Sequence, residues 1–354
     1  MPVGHTAALR RARARGVLSV ALAACVALTV AACAPEKTVS TPTASPSYTS
    51  GYRTPDPTAI APLRGTTVTV GSLNHASIAA KIDNHPDARP QIGLEHTDLV
   101  YQELVEGGLT RYVAVWHSDI PELLGPVRSI RPMDPDIISP LGGIVCYSGG
   151  QQRFVDLMRK TPVYNAIHGQ ADTASTFFRT PTKAAPHNVL VKARDLLAQH
   201  ASIPAPAQQF AFSLDVPSST AAKDGVPTAV INYAFSGGTK GSWTWDAAKG
   251  VFLRSQGSGP DLDSSGAQLT ATNVVVLRVT VGDDKGVPRT NMIGSGEAWV
   301  SSGGATIHAT WAKGSATDPI RLVDRNGVTV RLAAGNSWIE LVPSAGSVAF
   351  VAPA

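Results

Sequence analysis

The sequence predicts a mixed α/β N-terminal domain followed by a mainly β C-terminal domain, an α+β or α/β class overall. Two observations carry this. Between residues 67 and 205, apolar runs of strand length alternate with helix-like segments. Between 209 and 345 the signals are almost wholly short strands, several of them split by Gly-rich or Asp/Asn-Gly turns such as Asn326-Gly327. The Ala/Pro-rich stretch 201–208 separates the two regimes.

The chain opens with Arg10, Arg11, Arg13 and Arg15, then an almost uninterrupted apolar run from Val17 to Ala31, closing on Val30-Ala31-Ala32-Cys33. A stable membrane span takes about 20 residues, so this run reads as the core of a signal peptide covering 1–32. Small residues before a cysteine resemble the lipobox of bacterial lipoproteins. The resemblance implies cleavage before Cys33, acylation of its thiol and new amino terminus, and a protein held at the outer face of the cytoplasmic membrane. Several acyl chains suffice for that, where a single chain is marginal.

The four arginines of 1–32 account for the whole formal excess of +4. The mature chain is then near neutrality, which argues against a nucleic-acid partner. Residues 33–66 are Pro-, Thr-, Ser- and Ala-rich, and read as a disordered tether after the lipidated Cys33. With Cys33 lipidated, Cys146 has no partner for a disulfide. It sits in the apolar run Gly-Ile-Val-Cys-Tyr and reads as a buried structural thiol.

Within 67–205, strands are expected at Ser77–Ile82, Leu109–His117 and Gly143–Tyr147, and helices at Gln151–Lys160 and Lys192–His200. A short helix should follow Pro132 and Asp134. Glu95 to Glu106 fits a helix or a strand. Beyond 209, strand candidates are Ala229–Phe235, Gly241–Trp245, Gly250–Arg254, Ala271–Val281, Gly296–Ser301, Ala305–Trp311, Ile320–Val323, Thr329–Leu332 and Ser337–Val342. Tryptophans in such a β domain usually build its core.

Lys81 to Arg131 contains Lys-Ile-Asp-Asn-His-Pro, Asp98 to Glu103, Val105 to Arg111, and Gly125-Pro126-Val127-Arg128-Ser129-Ile130-Arg131; Ala185-Pro186-His187-Asn188 follows later. These motifs resemble the YerB-like family of bacterial lipoproteins, whose domain (DUF3048) is one of unknown function. Trp245, Asp246, Arg254, Asp261, Trp311 and Trp338 resemble its C-terminal part. The resemblance implies an exported, lipid-anchored, two-domain envelope protein, with no catalytic mechanism attached.

Candidate ligand-binding residues follow from residue chemistry. Asp83, Asn84 and His85 lie just past a strand, where loops commonly leave a crevice. Asp83 and His85 supply two metal donors at most, short of the three of a catalytic zinc, so no metal is expected. Arg89, Arg111, Arg128 and Arg131 are suited to bidentate contact with carboxylate or phosphate. Glu103 and Glu106 share a face only if their segment is helical. Ser129 lies between two arginines, and the His187 imidazole can donate or accept a proton. His117 and His168 read as surface or edge residues. No phosphate loop, dinucleotide fingerprint, nucleophile elbow or zinc-protease motif is present, so no cofactor and no catalytic residue are assigned. The expected role is binding of a polar or anionic ligand or a partner, with peptidoglycan or an envelope protein as candidates. The alternative is a hydrolase or transferase acting on wall polymer through the acidic and histidine residues.

Overall fold

The computed structural model describes residues 55–354. The signal segment 1–32, Cys33 and the tether up to residue 54 lie outside the described residues. The fold begins ahead of residue 67. Thr58–Ile60 pairs antiparallel with Thr67–Thr69, and Ala61 and Leu63 between them are buried.

The first part then follows the expected alternation. Strands run at Ile78–Asp83, Leu99–Leu104, Thr110–Trp116, Ile144–Tyr147 and Tyr164–Ile167. Helices lie at Asp134–Ile138, Gln152–Arg159 and Ala193–Gln199. The ambiguous segment resolves into a 3-10 turn at Leu94–His96 and the strand Leu99–Leu104. That strand is flanked on both sides and nearly all buried, so its apolar run needs no amphipathic period.

The main sheet takes strands from both sides of 201–208. Its order is Val226–Pro227, Ala305–Lys313, Gly294–Ser302, Asn273–Val279, Ser337–Pro343, Leu99–Leu104, Thr110–Trp116, Ile78–Asp83, Ile144–Tyr147, Tyr164–Ile167, with Arg321–Val323 beside Ala305–Lys313. The late strand Ser337–Pro343 is parallel to both its neighbours and joins the two halves. Period-two alternation then splits the core. Ala79, Tyr101, Val113, Val145, Val275 and Ile339 pack with helix residues Ile137, Phe154 and Met158 on one face. Ile78, Ala80, Val100, Ala114, Val274 and Trp338 pack on the other, against Ile231, Trp243 and Phe252.

Those last residues belong to a smaller antiparallel sheet built on Val230–Ala234, Lys240–Asp246, Val251–Gln256 and Ser347–Val351. The mixed first part and mainly β second part are as expected. Trp243 and Trp338 are buried around the fully buried Arg254, whose guanidinium lies 5.6 and 4.6 Å from their rings. Its charge is met by Asp261, by Gln102 Oε1 at 2.6 Å and by Tyr233 Oη at 3.0 Å.

Three expectations need correction. Thr329–Leu332 makes only isolated bridges, to Val323 and Phe212, because it runs between turns with no neighbouring strand to continue the ladder. Ser347–Val351, beyond the expected bound at 345, is a strand. His117 is buried, with Nε2 3.1 Å from the His75 carbonyl and 3.2 Å from that of Leu73; these carbonyls replace the water an edge residue would use. Cys146 is buried as expected, and burial pushes its thiol far above the ordinary range. Among the described residues no helix is long and apolar enough to cross a membrane.

Candidate functional site

Strand register sets the floor of the site. Asp83 and Glu103 both pair with Arg111, so the three side chains stand abreast on one face, with Lys81 one pleat behind Asp83. Behind this row the fully buried Lys81 ion-pairs with the fully buried Glu103, and with Asp134 at 2.7 Å. Burial lowers the Lys81 ammonium to about 8, against the opposing pull of Asp134.

The walls come from two later segments laid across the strand end. Asp83 N–H donates to the Pro126 carbonyl and Arg128 N–H to that of Lys81, which brings 126–131 over the sheet. Val127 N–H donates in turn to Val189 O, which places His187 beside Arg128. Asp83 then serves three groups. Its Oδ2 lies 2.6 Å from His187 Nδ1 and 3.0 Å from Arg128 Nε, and its Oδ1 accepts the His85 N–H at 3.1 Å. The His85 and His187 rings stack at 4.4 Å between centroids, tilted by 18°.

Arg131 Nε donates to Glu106 Oε2 at 2.8 Å, and its backbone N–H to Asp134 Oδ2 at 2.6 Å. Arg111 donates to the Ser129 carbonyl at 2.8 Å. Burial, followed by the neighbouring Arg131 and Arg128, lowers Arg111 to about 10, so it stays cationic at neutral pH. Burial pushes Glu106 up most strongly, but the Arg131 hydrogen bond, a hydrogen bond from its own backbone and the charges of Arg131 and Arg111 together hold the carboxyl below its ordinary value.

The result is a pocket of about 150 Å³ lined by Asp83, His85, Glu106, Arg111, Arg128, Arg131 and His187, with Val105, Leu109 and Thr110. Four sequence candidates are placed elsewhere. Glu103 lies beneath, sealed against Lys81. Asn84 and Arg89 turn the other way. Asn84 is held by Thr110, Gln91 and Gln256, and Arg89 reaches a separate crevice bordered by Pro260 and Asp263. Ser129 contributes its carbonyl. Sequence reasoning passed over Lys81 and Asp134, the ion pair under the pocket. A lysine inside Ile-Ala-Ala-Lys-Ile-Asp is the signal that could have found it: an isolated charge in an apolar strand needs a partner.

The pocket is carried on a mixed sheet, with the helices Asp134–Ile138 and Gln152–Arg159 on one face and the small sheet on the other. The chain belongs to the proteins of unknown function DUF3048, whose N-terminal domain matches residues 63–204 and whose C-terminal domain matches 231–339. It is 31% identical over 131 residues to the Bacillus subtilis (strain 168) protein named "Putative lipoprotein YerB", a match spanning 36% of this chain and 38% of that protein. The crystal structure of YerB protein from Bacillus subtilis shares the fold, with a TM-score of 0.71 at 22% identity over 82% of this chain and 99% of that one.

Proposed function

We propose that this chain is a cell-envelope lipoprotein, anchored through Cys33, whose pocket captures an anionic group on a wall component or an envelope partner. The named relative and the signal and lipobox pattern support the anchor. One observation carries the binding role: Arg111, Arg128 and Arg131 converge on a single pocket with only Asp83 and Glu106 as opposing carboxylates. Arg128 Nε is buried without a hydrogen bond, since its approach to Asp83 is close but misaligned, so the pocket holds an unfilled donor. The volume limits the ligand. Small-molecule sites span roughly 300–1,000 Å³. A cavity of about 150 Å³ takes a phosphate or carboxylate head, with the rest of the ligand outside.

The test is titration of the purified protein with inorganic phosphate and with acetate, at fixed low salt, for wild type, Arg128→Ala and Arg131→Ala. Losing a charged hydrogen bond costs about 1.5–3 kcal/mol, so each variant should bind roughly 10- to 150-fold more weakly. Equal affinity in all three would remove the pocket from consideration. Pull-down on isolated cell walls with the same variants then asks whether the anion belongs to wall polymer. A second reading, hydrolysis of wall polymer, is favoured by the Asp83–His187 pair, since a carboxylate-oriented imidazole suits a general base. Thr110, the pocket's one hydroxyl side chain, already accepts from Asn84 and Gln102, which leaves water as the nucleophile. Product release from wall polymer, abolished in His187→Ala, would establish that reading.

A further inference from the structure

We propose that His85, Asp87 and His187 form a binding site for a divalent transition-metal ion of the zinc class, at the edge of the arginine pocket. One donor atom from each of the three residues lies within 4.8 Å of the other two. Sequence spacing offered only Asp83 and His85; the fold adds His187, whose position is set by the Val127–Val189 hydrogen bond.

The second observation is the state in which His187 is held. With Asp83 Oδ2 at 2.6 Å, Nδ1 of the neutral ring carries the proton and donates it, leaving the Nε2 lone pair free of that bond. A carboxylate behind a histidine in this way fixes the tautomer and raises the basicity of the ligating nitrogen, the usual arrangement behind metal-bound histidines. His85 stacks on that ring, and its Nδ1 lies 3.5 Å from Asp87 Oδ2. Donors at about 2.0–2.2 Å from a tetrahedral ion sit roughly 3.3–3.6 Å apart. The widest pair, at no more than 4.8 Å, must therefore close by at most about 1.5 Å. Asp87 is exposed and His85 half-buried, so both side chains are free to rotate. His85 Nδ1 accepts the exposed Asp87 N–H at 3.2 Å; if the ion takes that lone pair, water can satisfy the N–H.

Imidazole and carboxylate donors suit zinc and its neighbours better than the oxygen-seeking calcium or magnesium. Three protein ligands leave a position open. His85 and His187 also line the arginine pocket, so that position faces the same space as Arg128 and Arg131. An anion bridging ion and arginines would offset their mutual repulsion. This coupling, unlike the site itself, rests on the anion-binding reading.

The test uses the full-length protein, purified in mild detergent without a histidine tag and stripped with chelator. Zn²⁺ is titrated by calorimetry and Co²⁺ by visible absorption, with thermal melts to show that each variant is folded. Wild type should take one equivalent and give the intense visible band of tetrahedral Co²⁺. His187→Ala and His85→Gln should each weaken binding at least about tenfold, and Asp83→Asn by about 10- to 100-fold through the outer shell. Inorganic phosphate should strengthen zinc binding to the wild type, and Arg131→Ala should abolish that strengthening. No stoichiometric binding to wild type, or binding that survives both histidine variants, overturns the site. Zinc binding indifferent to phosphate upholds the metal site and sinks its coupling to the anion pocket.

Discussion

Lys81→Met isolates the ion pair on which the pocket rests. The change keeps an unbranched side chain of similar length but removes the ammonium. Glu103 and Asp134, with fully buried side chains, are then left without their lysine. Breaking a buried pair by deleting one partner costs about 3–5 kcal/mol. For a fold of this size that corresponds to a fall in Tm on the order of 10 °C. Equilibrium urea unfolding gives the free energy directly, and Lys81→Met with Glu103→Gln should recover part of the loss, since one stranded charge is gone. The pH dependence gives an independent check. Lys81 falls from 10.5 to about 8 on folding, so across that window the unfolded chain holds a proton the folded protein has released. Stability contributed by this residue therefore rises with pH from about 8 to 10.5, by on the order of 3 kcal/mol in all. The buried tyrosines are common to both proteins, so the difference between wild type and variant isolates this effect. A loss below 1 kcal/mol on the urea scale, a scale on which surface changes fall, or a difference that stays flat through the window, would refute the reasoning.

Four further outcomes are expected. Glu106→Gln frees Arg131 from a partly exposed ion pair worth about 0.2–1 kcal/mol, so phosphate affinity should rise by up to about fivefold in calorimetric titration. Because Arg131 holds the Glu106 carboxyl low, whatever that pair contributes to stability persists above the ordinary carboxylate range and is lost as pH falls through the lowered value; acid melts of the two proteins should converge there. Cys146 is buried with its thiol pushed up, so a thiol reagent should label it in the native protein no faster than the chain unfolds. Residues 55–205 expressed alone should lack a cooperative melt, because Leu99–Leu104 would lose Ser337–Pro343 and expose a long apolar edge; dispersed amide resonances from that fragment would contradict this.

The parts of the molecule that were legible in the sequence are those where one period or one chemistry dominates. Short apolar runs of strand length gave Ile78–Asp83 and Thr110–Trp116, and the helical pattern gave Gln152–Arg159. The arginines at 89, 111, 128 and 131 could be grouped because guanidinium has few structural uses other than pairing with an anion, and all but Arg89 reach the pocket. Glu103 and Glu106 could not be separated, because Leu-Val-Tyr-Gln-Glu-Leu has the length of a strand and the composition of either element. Only its place between two partners settles it, and that sends Glu103 beneath the pocket and leaves Glu106 at its rim.

What stayed hidden depends on contacts far apart in the chain. Ser337–Pro343 has an ordinary strand composition, and nothing local says that it enters between Asn273–Val279 and Leu99–Leu104. Once it does, the central strands of both parts belong to one sheet, and Asp83, Glu103 and Arg111 stand in a row whose spacing is fixed by strand register. Asp87 was hidden for the opposite reason. An aspartate after a proline reads as the first turn of a helix, which is where it sits, in Pro86–Ala88. Its second reading as a metal donor requires His187, 100 residues later, to arrive on the same side of that turn. The same carboxylate that receives Arg128 also orients His187, so any force that moves Asp83 moves the anion pocket and the imidazole together. Lys81, two residues before it on the same strand face, is therefore tied to the function proposed for both.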